Sequence, residues 1–358
     1  MIHIIYKCID HVVSSYINLL NQHRINYTIM PLEQVSGSAL ENCVPVIASI
    51  DRKTLEHISI HLSNNGVLVY DTLIKENLLS KCGKEWLMDR NSPIYYRIDH
   101  KALCAYLEVQ IADHCNLKCR GCMHFSNIVD KPAFFPINSF EEDLQIMSDS
   151  LEILKFRIMG GEPLLNHNFE KYVILIREFF PKSKIIIVTN GLLLDKIPFG
   201  KLNILSEYQC EIDISIYPII KEKLYKTTSI LEMAKLKYRL IGDTKDFSVS
   251  FMKQLSLNPK YKKRCHERCS CNFWSEHKLS RCCLPSTISY YNECFGNSFV
   301  VDTSDFFEIN HYFDGYSCMA FLQREMEFCK YCISQSQPIT WKPFVDSRNA
   351  GINDYIVI

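Results

Sequence analysis

Net charge is the first thing this chain lacks: forty lysines and arginines stand against forty aspartates and glutamates in 358 residues. That removes any global pull toward nucleic acid or an anionic membrane and leaves only a local basic patch as a route to either. Long apolar runs are missing too. Stretches such as LKYRLIG and KIIIVTN are strand-sized, well short of the roughly 18 residues of a spanning helix. The opening MIHIIYKCIDHVV is short and interrupted by Lys7 and Asp10, so it does not read as a signal peptide. The first ninety residues hold neither GxGxxG nor a P-loop pattern, so no phosphate-cradling motif supports a nucleotide domain there. No repeat suggests a solenoid. These absences predict a cytosolic protein with no nucleic-acid or membrane partner.

Cysteine is abundant by contrast, with 17 residues. In a large cytosolic chain the thiols stay reduced, so a disulfide framework is not expected. Cys8, Cys43, Cys104 and Cys210 sit singly in apolar contexts and read as small buried hydrophobes. The remaining groups, at 115–122, 265–271, 282–294 and 318–332, cluster as metal binding requires.

A chain of this length forms one large or two unequal domains. Residues 1–98 alternate strand-like runs (HIIY, YTIM, VPVIASI, VLVY) with helix-like segments near 10–24 and 52–65, the rhythm of a small α/β layer domain of unknown role. NSPIYYRIDHK (91–101) reads as a linker. Residues 104–245 restart the alternation more regularly. Leu107, Val109 and Ile111 mark a first strand, and a helix at 139–151 follows with a Ser139/Glu142 capping box. Leu154, Phe156 and Ile158 mark a second strand. Phe169, Tyr172, Val173, Ile176 and Phe180 form one helix stripe that stops at Pro181. KIIIVTNG, CEIDISIYP and KYRLIG supply three more strands. Strand, loop and helix in repetition build a parallel sheet closed or partly closed into a barrel. Residues 246–358 form a cysteine-rich extension.

If the apolar strand sets face the helices, then Glu108, Gln110, Lys155, Arg157, Glu211, Asp213 and Ser215 face the interior. Such a lumen is either internally paired or filled by a polar ligand. No general acid or base is identified; Asp213, Glu211 and Tyr217 are candidates by position alone.

The stretch DHCNLKCRGCMHFS places Cys115, Cys119 and Cys122 in a CxxxCxxC loop after the first of these strands. Three thiolates on a 4Fe–4S cluster leave one iron open to an exogenous ligand. The competing reading is a Cys₃His zinc knuckle completed by His124, the core of a non-enzymatic, zinc-stabilised scaffold or binding protein.

The loop and its context resemble the radical S-adenosylmethionine (radical SAM) superfamily. MGGEPLL at the end of the second strand matches the family's glycine–glycine–glutamate–proline turn, and TNG and DISIYP end the third and fourth. The resemblance implies a partial parallel β/α barrel. It also implies a 4Fe–4S cluster on Cys115, Cys119 and Cys122 whose open iron is chelated by S-adenosyl-L-methionine, with a 5′-deoxyadenosyl radical abstracting hydrogen from substrate. It places Gly160, Gly161 and Glu162 beside the methionyl group, Glu162 pairing with its ammonium, and Thr189, Asn190 and Ser215 at ribose or methionine contacts. Many members carry an aromatic just before the third cysteine, next to the adenine; this chain has Gly121, which leaves Phe125 or His124 for that place. An electron donor such as flavodoxin or ferredoxin is implied as a partner.

Members with a twitch extension hold an auxiliary 4Fe–4S cluster with a cysteine pair around a hairpin and a later CxxC. By that resemblance Cys271 and Cys282 form the early pair, with Cys265, Cys269 and Cys283 as competitors, and Cys329 and Cys332 form the later one. The loop wording and the short CKYC ending resemble a subgroup among surface-polysaccharide and sugar-modifying proteins. The expected substrate is therefore a polar small molecule, a sugar or nucleotide-linked sugar, oxidised or epimerised at carbon. A peptide maturase is the alternative.

Overall fold

The computed structural model describes residues 2–6, 27–31, 44–48, 67–70, 95–96, 101–104, 106–242, 250–257, 272–296, 299–341 and 350–356. Contacts divide the chain into two compact units. One combines 1–106 with 146–154 and 311–324, and the other holds 107–145, 155–310 and 325–358. Segments 146–154 and 311–324, assigned from sequence to the barrel and the extension, thus group with the amino-terminal strands.

The first unit is built on strands β1 (Ile2–Tyr6), β2 (Tyr27–Pro31), β3 (Val44–Ala48), β4 (Val67–Tyr70), β5 (Tyr95–Tyr96) and β6 (Ala102–Cys104). The chain then runs out through β7 (Leu107–Ala112) and helix α1 (Ile137–Ser150) and returns as β8 (Leu151–Ile153). The sheet order is β2-β1-β3-β4-β5-β6-β8. All its pairs are parallel except β5 with β6. The four expected apolar runs are strands, as their β-branched content favours. The expected helices at 10–24 and 52–65 lie outside the described residues. The expected linker is not purely a linker, because Tyr95–Tyr96 pairs with β4 and β6.

The second unit continues with β9 (Lys155–Gly160), α2 (Phe169–Phe179), β10 (Lys184–Thr189), α3 (Phe199–Glu207), β11 (Cys210–Ser215), α4 (Leu224–Met233) and β12 (Tyr238–Ile241). Beyond them come β13 (Ser250–Leu255), the hairpin β14 (Phe273–Ser275) and β15 (Lys278–Ser280), α5 (Leu284–Phe295), β16 (Phe307–Glu308) and β17 (Cys332–Thr340). In the first unit, α6 spans Gly315–Gln323. Eight strands form one sheet in the order β12-β11-β10-β9-β7-β14-β15-β16. It is parallel from β12 through to β14 and antiparallel across β14, β15 and β16. The sheet is open, with β12 and β16 at its edges, which is a partial rather than a closed barrel. Strands β13 and β17 pair antiparallel in a separate ribbon.

The alternation expected along the strands holds. Phe156 and Ile158 are fully buried, whereas Lys155 and Arg157 are only half-buried. Helix α2 buries Phe169, Tyr172, Val173 and Ile176 and ends before Pro181, as an amphipathic stripe closed by a proline must. Helix α1 starts two residues earlier than expected. Phe140 N–H donates to Pro136 C=O at 3.0 Å, so Ser139 lies within the first turn. The Ser139 hydroxyl donates to Glu276 instead of capping. Among the described residues no helix is long and apolar enough to cross a membrane.

Candidate active site

The lower interior of the open barrel is closed by charge pairing. The Arg239 guanidinium donates twice to the Asp213 carboxylate, both at 2.8 Å. Arg157 reaches Asp213 at 4.0 Å and Glu108 at 3.5 Å. Lys184 pairs with Glu211 at 2.9 Å. Asp213 and Glu108 are buried, and buried carboxylates without such partners would cost several kcal/mol (roughly 3–5 when one partner is lost). Of the two readings of the polar lumen, internal pairing therefore describes Glu108, Arg157, Glu211 and Asp213.

Higher up the same strands the interior opens into a cavity of about 180 Å³. Cys115, Cys119 and Cys122 line it, together with Gly160, Gly161, Thr189, Asn190 and Ser215. Eight residues from four strand ends thus meet where barrel enzymes gather their sites, and Tyr217 and His124 join them.

Local bonding explains how the loop is held. Asp113 closes its neck: Oδ1 accepts from Ala133 N–H at 2.8 Å and from His114 Nδ1 at 2.9 Å, and Oδ2 accepts from the Tyr290 hydroxyl. The loop's far side is tied to the carboxy-terminal segment through an Arg120–Asp354 ion pair and an Asn127–Tyr355 hydrogen bond.

Gly160 and Gly161 dock the second strand's turn onto this loop. A Cβ on Gly161 would stand 2.0 Å from the His114 carbonyl oxygen, and one on Gly160 would stand 2.2 Å from that of Ala112. Gly160 also has φ +139°, a region that glycine alone visits readily. Gly161 N–H donates to Ala112 C=O, and Glu162 N–H donates to His114 C=O. The close approach demanding small residues is thus to the backbone of the end of β7 and the start of the cysteine loop.

Glu162 is tied into the protein itself. It is fully buried and does not line the cavity. Its Oε1 accepts from Thr189 Oγ1 at 2.7 Å and Leu164 N–H at 3.1 Å, and its Oε2 accepts from Asn190 N–H at 2.9 Å. The carboxyl is thus a clamp between the turns after β9 and β10. Burial outweighs these donors and pushes its pKa up to about 7. Asn190 continues the clamp, its Nδ2 donating to Asn116 Oδ1 at 2.7 Å and lying 3.8 Å from Cys115 Sγ.

Gly121 has φ +73°, which explains why no aromatic stands before Cys122 in this chain. Phe125 does not substitute for it. It is fully buried against Tyr291 and Tyr355. His124 faces the cavity and donates from Nδ1 to Gln110 Oε1 at 3.0 Å. Burial, then the Arg157 charge, lowers the His124 pKa to about 4 and keeps the ring neutral.

Burial raises all three thiols, Cys119 to about 12. Bare thiolates are unfavourable here and become stable only against bound positive charge. Among the described residues, no three His, Cys, Asp or Glu side chains come together closely enough to hold a single metal ion. Three thiols on one cavity wall are the donor set of an iron–sulfur cluster with one open iron.

The extension cysteines form a second grouping. Cys282 and Cys332 are buried in an apolar core with Phe299, Phe328 and Tyr355, and Cys283 and Cys329 pack against it. The hairpin β14–β15 directly precedes Cys282, as expected. Cys271, Cys265 and Cys269 lie outside the described residues.

Several residues facing or flanking the cavity were not singled out from sequence, among them Met159, Val188, Met123 and, behind Tyr217, Trp341. Met159 and Val188 were legible only as strand positions next to motif residues. Trp341 carries no motif at all.

Residues 109–216 match the family described as Radical SAM superfamily. Curated relatives include the GTP 3′,8-cyclase of Thermodesulfovibrio yellowstonii, 37% identical over 93 residues, covering 25% of this chain and 29% of the relative. That of Syntrophomonas wolfei subsp. wolfei is 28% identical over 144 residues, covering 38% and 42%. The chain therefore spans less than half the length of the curated relatives it matches. Among solved structures, BtrN in complex with AdoMet and 2-DOIA aligns at 16% identity with TM-score 0.40, covering 72% of this chain and 100% of that one.

Proposed function

We propose that this chain, which carries a radical SAM domain across residues 109–216, acts on a hydroxylated, amino-bearing small molecule held beside its cysteine loop. The superfamily uses a 4Fe–4S cluster and S-adenosylmethionine. When bound, they supply one-electron cleavage of the sulfonium and abstraction of a carbon-bound hydrogen. Cys115, Cys119 and Cys122 would hold the cluster. Gly160, Gly161, Thr189, Asn190 and Ser215 present backbone and side-chain polar groups to S-adenosylmethionine, and Glu162 fixes the two turns that carry the first four. Cys282, Cys329 and Cys332, with Cys271, are the proposed ligands of an auxiliary cluster, and an external one-electron donor of the flavodoxin or ferredoxin kind would reduce the enzyme.

The chain's own residues prepare the site for radical chemistry by limiting proton traffic. His124 is neutral, with its Nδ1 proton engaged by Gln110. Tyr217 lines the same cavity, where burial first and the nearby thiols second raise its phenol pKa and keep it protonated. A protonated phenol there is a hydrogen-bond donor rather than a base.

The observation carrying the substrate class is a second cavity of about 150 Å³ on the inner side of β7 and β14. Gln110 lines it while bonding His124 of the first cavity. Asp113, Glu276, Ser275, Ser286, Thr287 and Tyr290 supply carboxylates and hydroxyls, and Phe134 and Phe273 supply apolar faces. Among the described residues, no lysine or arginine lines either cavity. Such walls suit hydroxyl and amine groups on a ring better than a triphosphate. GTP is the second reading, favoured by the activity named for the matched relatives.

The test incubates anaerobically reconstituted, dithionite-reduced protein with S-adenosylmethionine and one candidate at a time: carbon-deuterated aminosugars, neutral sugars, GTP and a peptide. Deuterium appearing in 5′-deoxyadenosine with an aminosugar, and its loss in Cys119→Ala, is the expected result. Transfer from GTP alone would overturn the substrate class. Absence of 5′-deoxyadenosine under every condition would overturn the enzyme reading.

A further inference from the structure

Each thiol of the cysteine loop meets its own hydrogen-bond donor, and one donor comes from far away in the chain. Leu117 N–H donates to Cys115 Sγ at 3.3 Å. Backbone N–H groups of Ser126, His124 and Phe125 face Cys122. These belong to the loop itself, and Asn190 Nδ2 at the end of β10 also reaches Cys115 Sγ, at 3.8 Å. Cys119 Sγ instead accepts from the indole Nε1–H of Trp341 at 3.1 Å, across 222 positions of sequence. The residue follows directly on β17, the strand that begins at Cys332. Its ring also lies 5.7 Å from that of Tyr217, which lines the thiol cavity.

We propose that Trp341 is a positioning residue that sets the reduction potential of the group bound by Cys119, through a direct N–H···S hydrogen bond. The inference rests on reading Cys115, Cys119 and Cys122 as cluster ligands and goes beyond it, since nothing in the loop motif calls for a tryptophan. A donor on a ligand sulfur withdraws electron density and stabilises the reduced cluster, so it raises the potential. Indole suits that role. It is donor-only and carries no charge, so it can be buried against apolar neighbours without a counter-ion. Because β17 begins at one of the proposed auxiliary ligands, the strand that places Cys332 also places the indole. Assembly of the extension and tuning of the loop thiols then depend on one segment of backbone.

The test is a redox titration of reconstituted wild type, Trp341→Phe and Trp341→His, following the electron paramagnetic resonance signal that changes when S-adenosylmethionine is added. Iron and sulfide are measured on the same samples, with the one reducing electron supplied by dithionite. In Trp341→Phe, at equal iron content, the ratio of reduced to oxidised cluster at the wild-type midpoint falls about tenfold, about 59 mV for a one-electron couple. Trp341→His restores an N–H and recovers part of that shift. Coincident midpoints for wild type and Trp341→Phe would overturn the proposal. If Trp341→Phe loses iron while Trp341→His keeps it, the hydrogen bond is still supported; equal loss in both overturns it. A wild type without a signal responsive to S-adenosylmethionine would instead refute the cluster reading on which the inference stands.

Discussion

The lower and upper halves of the barrel interior are made from the same strands and end in opposite states. On β11, Glu211 and Asp213 are consumed by Lys184, Arg239 and Arg157, while Ser215, two residues further on, turns to a cavity lined by three thiols. On β9, Arg157 joins the ion pairs, while Gly160 meets the end of β7 and the following Gly161 meets the cysteine loop. Polar residues facing inward therefore do not by themselves mark a site. What separates the halves is whether each group finds its partner within the protein. The lower half is sealed by charge, and the upper half is held open by backbone-to-backbone docking of turns, with Glu162 as the clamp between two of them.

Exchanging the halves' character is the strongest way to break this contrast. Asp213→Ala leaves Arg157 and Arg239 side by side. Because the Arg239 side chain is half in solvent, we expect a loss nearer about 2–3 kcal/mol than the upper range for buried pairs. Urea unfolding of the apoprotein measures it. The matching change above, Ser215→Ala, alters stability by less than about 0.5 kcal/mol but weakens S-adenosylmethionine binding about fivefold, near the worth of one hydrogen bond. Equal stability losses at the two positions would erase the distinction between sealed floor and open site.

A smaller and more specific effect sharpens it. The Glu162 carboxyl is raised by burial from 4.5 to about 7, so the folded apoprotein binds its proton more tightly than the unfolded chain does. Between about pH 4.5 and 7 the native state holds more protons, and stability falls as pH rises through that window, levelling off above it. The full drop is on the order of 3 kcal/mol. Glu162→Gln cannot titrate, and its urea midpoint should lose this component of the pH dependence. An unchanged profile in the variant would mean that Glu162 is not the buried clamp described here.

Sequence made the upper half legible because its chemistry is written locally. CxxxCxxC, MGGEP and TNG each occupy a few adjacent residues at strand ends, and the strand alternation correctly turned Arg157 and Asp213 inward. It could not choose between pairing and ligand binding for those residues, because Arg239 meets Asp213 only through the register of β11 with β12. The same limit hid β8, which leaves α1 to pair with β6, and the grouping of 311–324 with the first unit. Local pattern carries no record of which distant strand is a neighbour. Glu162 shows a related limit: its motif position says that a carboxylate is needed, and only the positions of Thr189 and Asn190 say what it bonds within the protein. Trp341 lies at the end of this scale, visible only once a distant segment is folded against Cys119.

The central claim is that the thiols of the upper half hold an iron–sulfur cluster with one position open to S-adenosylmethionine. Iron, sulfide and zinc should be measured on anaerobically reconstituted wild type beside a Cys115/Cys119/Cys122→Ala variant, with electron paramagnetic resonance recorded on both before and after S-adenosylmethionine is added. The account predicts about four irons and four sulfides fewer in the variant, and a wild-type signal that changes with S-adenosylmethionine and is missing from the variant. Zinc in place of iron, or equal iron in both proteins, would contradict it.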